Sequence, residues 1–220
     1  MRHPFLIVCS IISTFLPFLA CVTLLRHFSK QTKSMRLLWA FFAFAMISEI
    51  ILFILNSQKM RSAWYHHIYT LLEYALVITI LTNWQTSFTV VRLARASIPV
   101  YIVCLVFVKI SGLENFEPGS YNNLTRPLAV LLLTTFSFIT LQALWRQTPA
   151  HLTSDYRFWM LLAMLLYYST SLVLSAFMFT RNHNLLDALF RIHAIVNITH
   201  NLLYTIGVFQ VRKAQQLALQ

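Results

Sequence analysis

Apolar residues run almost unbroken through seven stretches of this chain, and charge gathers in the gaps between them. The pattern predicts helices over 4–25, 36–57, 63–83, 90–110, 127–145, 157–179 and 186–210. About 20 apolar residues in a helix span the hydrocarbon core of a bilayer. Lipid cannot satisfy backbone N–H and C=O groups, so helices are the natural spanning form. The alternation of apolar and polar residues that marks a β-barrel is absent. The expected fold is therefore all-α: a single polytopic seven-transmembrane-helix bundle over residues 1–220, embedded in the lipid bilayer.

The fourth stretch is the weakest. Its charge-free run covers only 96–108, between Arg92 and Arg95 on one side and Lys109 on the other. A full span there must reach back over the two arginines, whose long stems extend toward the interface. Pro17 and Pro99 fall inside the first and fourth helices, where neighbouring helices can re-satisfy the freed carbonyls. Met1-Arg2-His3 before an apolar run also fits a signal peptide, and Phe18 to Cys21 faintly resembles a lipoprotein cleavage box. A first helix is the preferred reading, because Phe18 stands where that box needs leucine.

Polar residues interrupt the apolar pattern in only a few places. In the last helix His193, Asn197, His200, Asn201 and Tyr204 fall within an arc of about 100°. Helix three carries His66, Tyr69, Thr70 and Glu73 on one face, with His67 beside them. Helix two carries Glu49, and Asn56 two turns further. Helix six contributes Tyr168, Ser171 and Ser175 on one side, with Tyr167 and Thr170 elsewhere. Glu49, Glu73 and His193 each lie about 12 to 15 Å below the outer surface at 1.5 Å per residue. Two carboxylates and a histidine are thus expected at one level, with His200 and Asn201 deeper. Ionisable residues at that depth are costly and mark candidate sites.

The bland reading stands beside this one. Asn and Ser between helices are common hydrogen-bonding glue, worth about 0.6 kcal/mol each. A buried Glu can pair with His or Arg and lock helices together. His66 and His67 fall near the interface, where a solvated role is expected. Trp64, Trp84, Trp145 and Trp159 read as interfacial anchors. Asp187 and Arg191, one turn apart, are expected to pair with each other.

Composition agrees with a membrane protein: 58% of residues are hydrophobic, with a mean hydropathy of +0.67. The net charge is +11. At helix ends such charge is matched to anionic headgroups, so no nucleic-acid partner is expected. One side of the seven-span topology collects Arg26, Lys30, Lys33, Arg36, Arg92, Arg95, Arg146, Arg157, Arg212 and Lys213. The other collects Arg2, Lys59, Arg61, Lys109, Arg126, Arg181 and Arg191. The positive-inside rule then places the N-terminus outside and the C-terminus in the cytoplasm. Cys9, Cys21 and Cys104 form no disulfide framework or metal motif. The loop over 110–126, with Glu114, Glu117, Pro118, Gly119 and Asn122, is either a cap on the outer mouth or a polar connector. Asn123-Leu124-Thr125 matches a glycosylation sequon.

Three functions fit. The first is a sensory, receptor-like protein that binds a small ligand or proton in an outward-facing pocket and signals through a partner. Its candidate residues are Glu49, His66, Tyr69, Glu73, Tyr168, Ser171, His193, Asn197, His200, Asn201 and Tyr204. No cofactor is needed, and catalytic residues are not assigned. The alternative is a zinc-dependent intramembrane hydrolase of lipid amides or esters, with His193, His200 and Glu73 as ligands. A small transporter ranks third, since it needs a continuous polar path and the inner halves of several helices look apolar. No span contains the internal lysine that retinal requires.

Two resemblances bear on these readings. The hydrolase reading resembles the seven-helix ceramidase and adiponectin-receptor superfamily, which carries HxxxH in its last helix and Asp in helix three. This chain has His193-x3-Asn197, Asn197-x2-His200 and Glu73 instead, so the departure falls on the ligands. More broadly, His66-x2-Tyr69-x3-Glu73 and His193-x3-Asn197-x3-Asn201-x2-Tyr204 resemble a group of small, functionally unassigned bacterial seven-helix membrane proteins. These are similar to the membrane sensor portion of some histidine kinases. The resemblance implies a bacterial plasma (inner) membrane location and a sensor kinase or other signalling protein as partner.

Overall fold

The computed structural model describes residues 4–25, 32–58, 60, 62–114, 123–177 and 183–217. Among the described residues the chain is helical, with no strand. Seven α-helices follow in order: α1 (Pro4–Leu25), α2 (Lys33–Ser57), α3 (Ala63–Trp84), α4 (Phe88–Ile110), α5 (Thr125–Gln147), α6 (Tyr156–Phe177) and α7 (His183–Leu217). A 3-10 turn, Pro149–Ser154, joins α5 to α6. The helices lie where the apolar runs placed them, within a few residues at most ends. The exception is α7, which continues to Leu217, well beyond the expected 210. The fourth helix does extend back over Arg92 and Arg95.

Five helices, α2, α4, α5, α6 and α7, are long and apolar enough to cross a membrane. Helix α3 is not among them, because its first half carries Tyr65, His66, His67, Tyr69, Thr70 and Glu73. Helix α1 is 22 residues long and carries no charged residue. The distribution of polarity points the same way. Large apolar side chains such as Phe53, Val103, Phe107, Phe138, Ile195 and Leu202 stand exposed on the outside. Ser48, His67, Thr70, Glu73, Ser137, Thr140, His200 and Asn201 are buried inside. Many exposed apolar side chains around an interior that also shelters polar groups suit lipid as the solvent. This is the build of an integral membrane protein.

Six helices close a ring. Each packs on the next in the order α1, α2, α3, α5, α6, α7 and back to α1. Helix α4 lies outside the ring, against α3 and α5. Its seam is polar and aromatic: the Tyr74 hydroxyl donates to Ser97 Oγ at 2.7 Å and the Tyr101 hydroxyl to the Thr125 carbonyl at 3.2 Å. The closest ring contact is between α6 and α7. A Cβ on Gly207 would meet Met160 Cε at 2.9 Å and the Tyr156 carbonyl at 3.2 Å. Small residues of this kind let membrane helices approach closely. One end of the ring is filled by Val77, Ile78 and Leu81 of α3, Met160, Leu161 and Met164 of α6, and Val208 of α7. Trp84 belongs to this core at 5% exposure, packed edge-on to Tyr156. It is therefore not an interfacial anchor, whereas Trp145 stands exposed.

The starts of α6 and α5 are set by side chains. Asp155 Oδ1 accepts the Arg157 backbone N–H at 2.9 Å, capping α6, and the Arg157 guanidinium returns to the same carboxylate. This is a local N-cap. The start of α5 is capped from a distance. Glu114, beyond the end of α4, is buried, and its carboxylate accepts the backbone N–H of Leu124 and of Thr125, the second at 3.0 Å. It also accepts the Thr125 hydroxyl at 2.8 Å and Lys109 Nζ at 3.2 Å. Free N–H groups and the positive end of the helix dipole meet a carboxylate there. So part of the 110–126 loop is a clamp between α4 and α5; residues 115–122, with Glu117, Pro118, Gly119 and Asn122, lie outside the described residues.

This clamp gives a pH prediction. Burial pushes the Glu114 carboxyl up, but the donors from Leu124, Thr125 and Lys109 outweigh it and hold it below its ordinary value of 4.5. A carboxyl lowered by folding stabilises the folded state fully above its unfolded value and loses that contribution as pH falls through the folded one. The unfolding midpoint should therefore drop as pH falls below about 4.5, and Glu114→Gln should flatten that drop. Thermal unfolding of both proteins from pH 3 to pH 7 checks it; parallel curves would count against the clamp.

Candidate functional site

A cavity of about 80 Å³ lies inside the ring, lined by α1, α2, α3, α6 and α7. Glu49, Tyr69, Glu73, Tyr168, Asn197, His200, Asn201 and Tyr204 line it, as do Ser13, Phe41, Phe42 and Tyr167. At a liquid volume near 30 Å³ per molecule, the space is on the order of a few waters. The two carboxylates at similar depth thus face one chamber. Of the other candidates, His66, Ser171 and His193 do not line it. Asn56's side chain lies outside the described residues.

Glu73 is the best-held polar group here, at 2% exposure. Arg126 Nη1 donates to its Oε2 at 3.0 Å and to Thr70 Oγ1 at 3.1 Å. Arg126 Nη2 donates to the Tyr167 hydroxyl at 3.3 Å, and the guanidinium lies 6.0 Å from the Tyr69 ring centre. The Tyr168 and Tyr69 hydroxyls complete the shell of Glu73 Oε1, at 3.3 and 3.5 Å. Arg126 is the second residue of α5 and reaches into the ring beside α3 and α6. On sequence it counted only as an outer loop charge; its place in the span-ending Thr-Arg-Pro was the available signal.

Tyr167 also departs from expectation. It was placed off the polar face of α6, yet its ring stacks on His200 at 4.5 Å and lines the cavity. His200 in turn meets Tyr204 edge-on at 5.2 Å, and Tyr204 meets Phe42 at 5.2 Å. His200 is buried, and its Nδ1 makes no well-formed hydrogen bond, although the ring lies near the carbonyls of Val196 and Asn197. His193 sits one side away, 5.5 Å from the Tyr167 ring centre. It does not line the cavity that the two carboxylates face.

His67 overturns the solvated reading. It is 1% exposed, with Nδ1 3.0 Å from Lys109 Nζ. The ammonium has no lone pair, so it must donate and the imidazole nitrogen must accept. His67 thereby joins the Glu114 clamp to α3.

The two asparagines act between helices. Asn197 Nδ2 donates to Ser13 Oγ at 2.7 Å. Asn201 Nδ2 donates to Ser13 Oγ at 2.9 Å and to the Ser13 carbonyl at 3.0 Å. Pro17, four residues on, has no N–H for that carbonyl, so α7 supplies the donor the proline withholds. Ser175, by contrast, bonds its own helix at Ser171. Asp187 and Arg191 pair at 2.6 Å on the exposed face.

Glu49 differs from every other polar lining group. It is exposed, and no hydrogen bond or ion pair engages it among the described residues. The chemistry available is therefore a small polar chamber with one unengaged carboxylate, an underused imidazole and a wall of aromatic rings. For a metal the donors are scattered: among the described residues no three His, Cys, Asp or Glu side chains gather to hold an ion. His193 stands off the cavity and Glu73 is held by Arg126. No family model matches this chain, and no curated protein or solved structure is significantly similar to it.

Proposed function

We propose that this protein is a receptor-like module of a membrane, in which a small polar ligand or a proton enters the ring cavity and changes helix packing that a partner protein reads. The observation that supports it best is the cavity itself. Its carboxylate Glu49 and imidazole His200 are not consumed by structural bonds, unlike Glu73, Asn197 and Asn201. The apolar plug formed by Val77, Ile78, Leu81, Met160 and Met164 favours a chamber blocked at one end over a transport path.

In this reading all seven helices cross the bilayer, with the N-terminus outside. Lys109 and Arg126 are engaged by buried carboxylates. Setting aside also Arg191 and Arg157, which pair with Asp187 and Asp155, leaves Arg2, Lys59, Arg61 and Arg181 outside against nine on the other side. The bias supports the cytoplasmic C-terminus. The membrane is taken as a bacterial inner membrane, and the partner as a sensor kinase or similar signalling protein.

Thermal unfolding in mild detergent tests the binding step. The panel comprises small amines, carboxylates, phosphates, sugars and a pH series. At a hundredfold excess over Kd a ligand stabilises by about 2.7 kcal/mol, or roughly 5 to 10 °C at this size. One class should raise the midpoint saturably in the wild type and not in Ala45→Phe, which fills the chamber. If nothing on the panel separates the two proteins, the receptor reading falls.

A further inference from the structure

We infer that the cavity selects a small organic ammonium ion, with Glu49 as its counter-charge. The inference rests on the cavity being a ligand site. Its first support is charge. Two carboxylates, Glu49 and Glu73, face the chamber, and one guanidinium, Arg126, is bonded to Glu73 from outside the lining. The chamber therefore carries one uncompensated carboxylate, matched to one monovalent cation.

The second support is the wall. Phe41, Phe42, Tyr69, Tyr167, Tyr168 and Tyr204 all line the space. Aromatic rings carry negative potential on their faces, and cages of them recognise alkylated ammonium groups. The rings are fixed by one another: Tyr204 is held edge-on by Phe41 and Phe42, and Tyr69 stacks on Phe44 at 5.4 Å. A preordered cage loses little freedom on binding.

Two alternatives fit less well. A hard inorganic cation needs a shell of oxygen ligands. Here the hydroxyls of Tyr69 and Tyr168 already turn to Glu73, and six of the lining side chains are aromatic. An anion would meet Glu49 and Glu73 with no free cationic partner. The small volume, about 80 Å³, suits a small methylated ammonium group.

The experiment uses the full chain in detergent, titrated with methylammonium or trimethylammonium chloride against sodium and potassium chloride at equal ionic strength. Unfolding midpoint and calorimetric binding are both read. The organic cations should bind saturably, and the sodium and potassium salts should not. Glu49→Gln should weaken the organic cation at least tenfold while unfolding at the wild-type midpoint, because no hydrogen bond or ion pair among the described residues uses Glu49. Glu49→Asp should retain most of the affinity, which keeps the test open if the Gln variant folds poorly. Equal response to sodium would make the site inorganic and overturn the inference. Binding of a carboxylate or sugar in place of the amines would overturn it too, yet leave the receptor reading intact. Silence from every class would remove both.

Discussion

Arg126→Ala will cost this protein about 3 to 5 kcal/mol, toward the lower end of that range. The pair it breaks is buried on the Glu73 side, at 3% side-chain exposure, and a fifth exposed on the arginine side. Removing the guanidinium leaves the carboxylate with two long contacts, the Tyr168 and Tyr69 hydroxyls at 3.3 and 3.5 Å. Neither carries a compensating charge, and an uncompensated buried charge dominates such costs. Thr70 and Tyr167 lose a donor in the same step. At this chain length the loss lowers the unfolding midpoint by on the order of 10 °C. Adding Glu73→Gln to Arg126→Ala should recover much of it, since the neutral amide no longer needs the cation. Thermal unfolding of the two single variants and the double variant measures the coupling. A double variant no better than Arg126→Ala would mean that the arginine acts by packing and not by charge.

The same pair shows where sequence reasoning stops. A carboxylate ten residues into α3 is visible as an anomaly because Leu71, Leu72, Ala75, Leu76 and Val77 around it are apolar. An arginine at the first turn of α5 is not, because basic residues at span ends are the rule. Only the packing of α3 on α5 shows that this end faces inward. His67 failed for the same reason: its place near the start of α3 suggested water, and Lys109 across the α3–α4 seam supplied the actual partner. Tyr167 and Tyr168 are adjacent, so they point about 100° apart, and a one-face reading kept Tyr168 alone. Both nonetheless line the cavity. The stripe on α7 was legible because five polar residues at helical spacing in an apolar helix have no lipid-facing alternative. Its division of labour was not: Asn197 and Asn201 brace α1, His200 faces the cavity, and His193 stands aside.

The helices themselves were legible because charge and length act along the chain, with no reference to neighbours. The ring order was not, because it depends on which faces meet. Even the weak fourth stretch follows from local physics. Its arginines extend a helix that is otherwise too short, and its place outside the ring explains why it tolerates them.

The second large effect joins a proline to a residue 184 positions away. Asn201→Leu should cost about 1 to 3 kcal/mol, the penalty of leaving a buried carbonyl without a donor. The orphan would be the Ser13 carbonyl, which Pro17 denies its helical partner and Asn201 Nδ2 meets at 3.0 Å. The amide must present its nitrogen there, because the carbonyl can only accept. If that account holds, the cost belongs to Pro17 as much as to Asn201. In a Pro17→Ala background residue 17 regains its N–H, the bond from residue 17 to Ser13 closes, and α1 no longer needs α7 at that point. Asn201→Leu should then cost only the remaining bond to Ser13 Oγ, about 0.6 kcal/mol. The double-mutant cycle, read by unfolding midpoints, should give a coupling of about 1 kcal/mol or more. Equal costs in the two backgrounds would show that Asn201 serves the hydroxyl and not the carbonyl. The consequence reaches the site, because Ser13, Pro17 and Asn201 all line the chamber. A helix whose backbone bond is supplied by its neighbour cannot shift without breaking that bond. The α1–α7 seam is thus the wall through which an occupant could alter the packing of the ring.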